Sequence, residues 1–339
     1  MQATCRTTPT GPGARAIGGR RAVLASPAVA RFAFAVFACV TAAAICSLPW
    51  TLAWHDVQPL SVVRQGPSFS PAAEFDLFAA AAPRRLRAMG YLVFLASSWL
   101  GHDDLGRSVF FRLLPGFLLS LAVGLAGAAM AGVIGVLWGS AAAIVGGWVD
   151  RIMMRIVDVL YALPYILTVV LLKIALSGPL TRLVGHSQAA GIIVLMIAIA
   201  GVSWLTMARV VRGQVLSLRT RPYVEAARAS GASSVHILRW HLLPNMVGPI
   251  IAYMALVVPQ AILQEAFLSF LGIGVPPPAP SLGRLAAEGV EAVNTFVGYW
   301  WLIVFPCGLL FLALFALNAA ADALRDRLDP RGTHSGNAG

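Results

Sequence analysis

Long apolar stretches separated by short polar segments account for most of the chain. Six of them have about the 20 residues that a helix needs to cross a bilayer. A shorter apolar stretch at 91–100 is predicted to be an interfacial or buried extracytoplasmic element. The pattern therefore predicts an all-α integral membrane protein with six transmembrane helices and both termini on one side. The six spans lie roughly at 32–54, 116–145, 156–177, 189–211, 246–271 and 297–320.

The second stretch carries small residues at regular intervals, with Gly124, Ala128 and Gly132 spaced four apart and Gly135 and Gly139 repeating the interval. Small residues spaced by four lie on one face of a helix and let a neighbouring helix approach closely. This span is therefore predicted to pack in the middle of the bundle. Four prolines are predicted to bend or locally open their helices: Pro164, Pro249, Pro259 and Pro306.

The composition agrees with a membrane protein, since 58% of the 339 residues are hydrophobic and 12% are charged. Soluble domains contain about 45–50% apolar residues. The 25 basic residues outnumber the 14 acidic ones, an excess that in a membrane protein is typical of arginine-rich cytoplasmic loops rather than of nucleic-acid binding. The four cysteines do not have the spacing of a disulfide framework or a metal site. The first apolar stretch is too long for a signal-peptide core and is predicted to be an uncleaved anchor.

The distribution of arginine predicts the orientation of the spans. With the N-terminus in the cytoplasm, the cytoplasmic segments hold Arg151 and Arg155 and the clusters after the fourth and sixth spans, whereas the two short outer loops hold only Arg182 and Arg284. Short loops rich in arginine stay in the cytoplasm. The prediction is a multi-pass membrane protein with both termini cytoplasmic.

The polar insert "RPYVEAARASGASSVHILRWHLLPN" at 221–245 separates the fourth and fifth spans. Pro222 suits the first turn of a helix, Gly231 suits a left-handed C-terminal cap, and Ser233 or Ser234 is placed to cap a second helix that runs to about residue 241. The insert is predicted to form two short helices joined at an angle. An alanine-rich helix buries little by itself, so it is interpreted as a docking element, with an interfacial loop on lipid headgroups as the alternative.

The spacing of Glu225-Ala226-Ala227, Gly231 and Leu243-Pro244 resembles the EAA loop of ABC importer permeases. Further stretches, in the same order along residues 100–331, are similar to the dipeptide, oligopeptide and nickel branch of that family. They include "GHDDLGRSVFFRLLPG" (101–116), "DRIMMRIVDVLYALP" (150–164), "QEAFLSFLGIGVPPPAPSLGRLAAEG" (264–289) and "DALRDRLDPR" (322–331). Ser108 and His102 stand where this branch usually has Asp and Thr, so roles at those two positions are not carried over.

The resemblance implies a permease of the bacterial inner membrane that acts on peptides, nickel or a related solute. Its implied partners are a second related permease, two cytoplasmic ATPase subunits and an extracytoplasmic solute-binding protein. The resemblance also implies that the loop is a coupling helix that inserts into a groove of the ATPase. We expect no cofactor bound by this chain, no catalytic residue and no metal, and ATP used by the partner subunits. The implied coupling residues are Tyr223, Glu225, Ala226, Ala227, Gly231, Leu243 and Pro244. The implied extracytoplasmic family segment contains Gly101, Asp103, Asp104, Gly106 and Arg107.

The predicted division of the chain follows from the spans and the loop. A cytoplasmic tail (1–31) and the first span (32–54) precede an extracytoplasmic segment (55–115). A five-helix permease core (116–321), with the coupling loop at 212–245, and a cytoplasmic tail (322–339) complete the chain.

Three ionisable residues lie in or near spans, where charged groups are costly and face the bundle interior or water. Glu265 is a candidate for the translocation path or gate, with a bond to a neighbouring helix as the alternative, and Lys173 is the chain's single lysine. Asp158 is interpreted as the ion-pair partner of Arg155. Asp103 and Asp104 are interpreted as loop-fixing or helix-capping carboxylates rather than as a metal or acid–base pair.

Two other classes of protein are weighed against an ABC permease. An ion-coupled secondary transporter typically shows inverted repeats and paired intramembrane carboxylates, whereas only Glu265 lies deep in a span. A membrane scaffold without transport activity would need no docking helix. The sequence has no phosphate-binding loop of the G-x-x-x-x-G-K-[ST] type, so the chain is not predicted to hydrolyse ATP itself.

Overall fold

A computed structural model describes residues 27–54, 66–67, 99–293 and 298–328. Within these ranges the chain is helical apart from turns and one backbone bridge between His102 and Ser108. The predicted all-α class is confirmed. Most of the predicted tail 1–31, of the extracytoplasmic segment and of the 91–100 element, together with residues 329–339, lies outside the described residues.

Helices follow one another with short connections throughout the described part of the chain. The helices are α1 (Pro27–Trp54), α2 (Val109–Val145), α3 (Gly147–Tyr161), α4 (Tyr165–Val184), α5 (Ser187–Leu218), α6 (Pro222–Ala229), α7 (Ser234–Ile237), α8 (Leu243–Phe270), α9 (Leu282–Ala292) and α10 (Trp301–Leu328). A π-helical turn, Leu238–Leu242, joins α7 to α8.

Five helical segments within the described residues are long and apolar enough to cross a membrane. They are α2, α4, α5, α10 and the continuous segment Ser234–Phe270. The first predicted span, 32–54, lies in α1, whose apolar part, Phe34–Pro49, is shorter than the others. The chain is therefore a multi-pass membrane protein, with α9 as a short helix that the span pattern did not predict.

The predicted span at 156–177 begins in one helix and ends in another. Helix α3 ends at Tyr161, and α4 begins at Tyr165 with Pro164 as its N-cap residue. Proline lacks an N–H group and disfavours helical geometry in the preceding residue. One helix therefore ends before Pro164 and another begins after it. Pro249, Pro259 and Pro306 instead lie inside uninterrupted helices.

Helix α2 lies at the centre of the bundle and contacts α1, α5, α8, α9 and α10. A Cβ atom added at Gly132 would lie 2.8 Å from the sulfur of Met254 in α8, and one added at Gly139 would lie 2.4 Å from the carbonyl oxygen of Ala208 in α5. Real Cβ atoms do not approach other atoms this closely. The predicted central packing of this span through small residues is confirmed.

Helix α4 lies at the edge of the bundle, and Val169 is its one buried residue. Tyr165 and Leu172 pack half-buried against the same core. The ammonium group of Lys173 donates hydrogen bonds to the carbonyl oxygens of Ile273 and Gly274, the latter at 2.9 Å. These two carbonyls follow the C-terminal end of α8. A lysine within a membrane span is tolerated when its ammonium group donates hydrogen bonds to acceptors such as these carbonyl oxygens.

Candidate functional site

The insert between α5 and α8 begins with the short helix α6, as the sequence predicts. Pro222 is its first residue, and Glu225 lies in the first turn, where a carboxylate is favoured by the helix dipole. Gly231 follows the helix with φ +81°, and the N–H of Ala232 donates to the carbonyl of Ala227 at 3.1 Å. Because glycine adopts positive φ without steric cost, Gly231 allows the sharp turn after α6.

Helix α6 is held to the bundle by very few side chains. Val224 is completely buried and packs in a cluster with Val211, Val215 and Ile237, and Ala227 lies half-buried against the same cluster. The other residues of this helix for which the resemblance implies a coupling role, Tyr223, Glu225 and Ala226, are exposed. One face of α6 therefore anchors it, and the rest of its surface is open to a partner.

The second half of the insert differs from the prediction of a separate helix. The hydroxyl oxygen of Ser233 accepts a hydrogen bond from the N–H of His236 at 3.3 Å and so caps α7. The chain then continues through the π-helical turn into α8, with Leu243 half-buried and Pro244 exposed in its first turn. Since α5 also extends to Leu218, the connection outside long helices is shorter than the predicted 212–245.

Ion pairs tie α3 to α5 just before the insert. Arg212 donates two hydrogen bonds of 2.6 Å to the carboxylate of Asp150. The hydrogen bond from Arg212 holds the pKa of Asp150 below its ordinary value, against the opposing effect of burial. Asp158 pairs with Arg209 at 3.0 Å, so the predicted pair with Arg155 is wrong. The guanidinium of Arg209 also lies 4.1 Å from the ring centre of Tyr161.

The segment 101–108, before α2, forms a tight loop around one carboxylate. Gly101 and Gly106 have φ angles of +77° and +74°. One carboxylate oxygen of Asp103 accepts hydrogen bonds from the N–H groups of Leu105 at 3.0 Å and Arg107 at 2.8 Å. Asp103 is thus a loop-fixing carboxylate, whereas Asp104 is exposed.

Asp103 also belongs to a charged cluster that sequence inspection did not identify. Arg112, at 1% exposure, donates to Asp103 at 2.7 Å and to both carboxylate oxygens of Glu288 on α9, one of them at 3.0 Å. Arg107 and Arg284 contact the same carboxylates, Arg107 with Asp103 at 2.8 Å and Arg284 with Glu288 at 3.0 Å. The charged cluster therefore consists of Asp103, Arg107, Arg112, Arg284 and Glu288.

The charged cluster borders a cavity of about 520 Å³. Burial raises the pKa of Glu288, but hydrogen bonds and charge from Arg112, with smaller contributions from Arg284 and Arg107, hold it below its ordinary value. Glu288 therefore remains ionised at neutral pH. The signal in the sequence was Arg112 beside an apolar run and Arg284 four residues before Glu288, but their proximity depends on the fold.

His102 and Ser108, the two departures from the family pattern, are both buried beside this loop. Burial lowers the pKa of His102 to about 4, against the charge of Asp103, which raises it. Within the described residues neither ring nitrogen of His102 has a hydrogen-bond partner. His102 is therefore neutral at neutral pH and serves as a packing group, while its carbonyl accepts a hydrogen bond from the indole of Trp301 at 3.4 Å.

Glu265 is completely buried in α8 and bonds to its surroundings through serines. Ser120 of α2 donates to one carboxylate oxygen at 2.6 Å, and Ser269 donates to the other at 2.7 Å. The same hydroxyl oxygens accept from the N–H groups of Leu282 at 3.3 Å and Val275 at 3.1 Å. Of the two roles considered for Glu265, this geometry supports the bond to neighbouring elements: it links α2 and α8 to the segment that leads into α9.

We expect Glu265→Ala to destabilise the protein much more than Glu265→Gln. Alanine leaves a cavity and two buried serines without their acceptor, at a cost of roughly 2–5 kcal/mol in the free energy of unfolding. Glutamine keeps the volume and one acceptor oxygen. Thermal melting of the purified variants in one detergent provides the measurement, and equal melting temperatures for the two variants would contradict the proposed linking role.

The comparisons with known proteins agree with this arrangement. Residues 131–334 match the family model described as the binding-protein-dependent transport system inner membrane component. The chain is 42% identical over 233 residues to the oligopeptide transport system permease protein OppC of Bacillus subtilis, covering 69% of this chain and 72% of that protein. It is 43% identical over 236 residues to the dipeptide transport system permease protein DppC of the same organism, covering 70% and 69% respectively.

A solved structure shows the same fold. An inward-facing conformation of the MetNI methionine ABC transporter matches with a TM-score of 0.50 at 21% identity, covering 65% of this chain and 97% of that chain. The family match spans more than half of the chain, and both permease relatives exceed two thirds coverage. The chain therefore belongs to the binding-protein-dependent transport inner-membrane components, as a permease subunit of an ABC importer, a family whose members act with a partner permease, an ATPase and a binding protein.

Proposed function

We propose that this permease forms half of the translocation path for peptides and that α6 is its coupling helix. The relatives named as oligopeptide and dipeptide permeases support peptides as the substrate class. The observation that carries the coupling role is the exposed α6, which one buried side chain, Val224, anchors to the bundle. ATP is hydrolysed by the partner ATPases, and this chain binds no cofactor.

The geometry of the insert supports transmission of movement from α6 to the membrane. Beyond the turn at Gly231, α7 continues through the π-helical turn into α8 without a flexible linker. On the other side, α6 follows α5 after three residues, and the pairs Arg212–Asp150 and Arg209–Asp158 join α5 to α3. Displacement of α6 by an ATPase is therefore transmitted to α5 and α8, two of the membrane helices that contact α2.

The proposed assembly contains one further related permease, two cytoplasmic ATPases and an extracytoplasmic binding protein. Each permease offers one coupling helix, so a pair of permeases engages two ATPases. The edge helix α4 has a single buried residue within this chain, Val169, which leaves apolar surface for a second permease or lipid. We infer a heterodimer of permeases, which select peptides together with the binding protein.

The coupling role predicts that Ala226→Trp releases the ATPase. Ala226 is exposed, so tryptophan there does not disturb the bundle, but it prevents close approach of a groove to α6. We expect loss of at least nine tenths of the ATPase that co-purifies with the permease in detergent. Ala323→Trp, at an exposed alanine near the end of α10, is the matched control and should retain the ATPase. Retention by Ala226→Trp at the control level would reject α6 as the docking helix.

The proposed orientation, with both termini cytoplasmic, predicts opposite labelling of two exposed positions. In a background with all cysteines replaced, Val235→Cys lies in α7 and Leu183→Cys at the end of α4, at residues with 72% and 81% exposure. In intact cells an impermeant thiol reagent should label Leu183→Cys and spare Val235→Cys. Permeabilised cells are the control, in which both should react. The reverse pattern in intact cells would overturn the orientation.

A further inference from the structure

A second cavity, of about 700 Å³, lies between α5, α8 and α10, next to the start of α6. It is separate from the charged cluster and from Glu265. Three of the long membrane helices form its walls, close to the C-terminal ends of α5 and α10 and to the beginning of α8. The position of the charged residues in its lining indicates what kind of ligand it fits.

The charge of this cavity is positive. Arg221, at the start of α6, and Arg325, near the end of α10, both line it, and among the residues that the structure describes no aspartate or glutamate does. Both arginines are exposed, and neither forms an ion pair within the described part of the chain. The acidic residues of α10, Asp322 and Asp326, are exposed but do not line the cavity. Two uncompensated guanidinium groups at one cavity favour an anion.

The charged groups of the cavity lie at one end. Ser217 and Asn245 lie with the two arginines near the insert, whereas the part further along α5 and α8 is lined by uncharged residues, among them Val210, Gln214, Tyr253 and Leu256. At 1.5 Å per residue, Asn245 and Leu256 are roughly 16 Å apart along α8. A free phosphate ion would use only the charged end. A ligand with a charged head and a long apolar chain fills both ends.

We propose that this cavity binds an anionic phospholipid. Arg221 and Arg325 contact the headgroup phosphate, because the planar guanidinium donates paired hydrogen bonds to phosphate oxygens. Ser217 lies beside them as a further hydrogen-bond donor, and one acyl chain lies against Val210 and Leu256. Basic pockets between membrane helices are known to hold anionic headgroups. The bound lipid bridges α5, α8 and α10 where the coupling insert begins.

The test uses the assembled importer in detergent and native mass spectrometry. Phosphatidylglycerol and phosphatidylcholine with identical acyl chains are titrated, and the lipid bound to each complex is counted. We expect selective retention of phosphatidylglycerol, and roughly a tenfold or greater loss of its affinity in the double variant Arg221→Gln/Arg325→Gln. Arg151→Gln/Arg155→Gln removes the same charge from exposed residues of α3 and should bind the lipid normally.

Four outcomes would overturn the proposal. Equal binding of the two lipids would show that the headgroup charge is not recognised, and equal losses in the two double variants would show diffuse attraction to the surface. Displacement of phosphatidylglycerol by inorganic phosphate at matched concentration would indicate a free-anion site. Absence of retained phosphatidylglycerol from the assembled importer would indicate that a partner subunit covers the cavity.

Discussion

Replacing Gly231 with valine and Glu225 with arginine is expected to abolish ATP-dependent uptake while the permease still folds and inserts. Gly231 has φ +81°, where an L-residue costs about 1–2 kcal/mol and a β-branched one more. No atom lies within 4 Å of where its Cβ would be, so the effect comes from the backbone angle and not from a clash. Glu225→Arg places a positive charge at the positive end of α6, an effect of about 0.3–1 kcal/mol.

Uptake of a labelled peptide into proteoliposomes containing the whole importer is the measurement. We expect less than about one tenth of normal uptake, because α6 changes both its angle and its charge. The matched control combines Gly178→Val, at a glycine of α4 with no neighbour within 4 Å and without positive φ, with Asp326→Arg at an exposed position of α10. Normal uptake by the Gly231/Glu225 variant would exclude this insert as the coupling element.

Arg112→Met is expected to destabilise the protein by about 3–5 kcal/mol, since it removes the buried cation that both carboxylates of the charged cluster share. Arg112 has 1% exposure and joins Asp103, in the loop before α2, to Glu288 on α9. Without it, Asp103 and Glu288 remain close together and keep only the more exposed Arg107 and Arg284 as partners. The loop around Asp103 and the packing of α9 on α2 should both loosen.

Thermal melting and the fraction of protein recovered as a monodisperse complex measure this effect. Arg284→Gln is the matched control, because Arg284 contacts the same Glu288 but is 25% exposed, so its loss should cost less than about 1 kcal/mol. A melting temperature for Arg112→Met equal to that of the unaltered protein would contradict the structural role of the charged cluster. A loss in Arg284→Gln as large as in Arg112→Met would show that burial is not the cause.

Local signals in the sequence correctly predicted the first half of the insert at 221–245. Pro222 marks the beginning of α6 because proline restricts its own φ angle to a value that suits a helix. Gly231 marks the turn after α6 because glycine adopts positive φ. The hydroxyl of Ser233 caps the next helix for the same local reason. The spacing of Gly132 and Gly139 likewise predicted close helix packing, since four residues return to the same face of a helix.

Two predictions that differ from the structure are the ion-pair partner of Asp158 and the continuity of the span at 156–177. Asp158 has Arg155 one turn away in its own helix, but pairs with Arg209 on α5, because α3 packs across that helix. The apolar run around Pro164 is one stretch in the sequence but two helices in space. A run of apolar residues does not indicate where a helix is interrupted. The interruption follows from the restriction that Pro164 places on the backbone of the preceding residue.

The amino-acid sequence was enough to predict that the chain crosses a membrane many times, which family it resembles and where the polar insert lies. These properties depend on lengths of apolar runs and on residues near one another in the chain. The packing of the helices was needed to show that Arg112 contacts Glu288 across 176 positions, that serines from two elements bind Glu265, and that Arg221 and Arg325 line the same cavity. Burial and ion pairing depend on which side chains, distant in the sequence, the packed helices bring within a few ångströms of one another. Local sequence patterns do not indicate these distances.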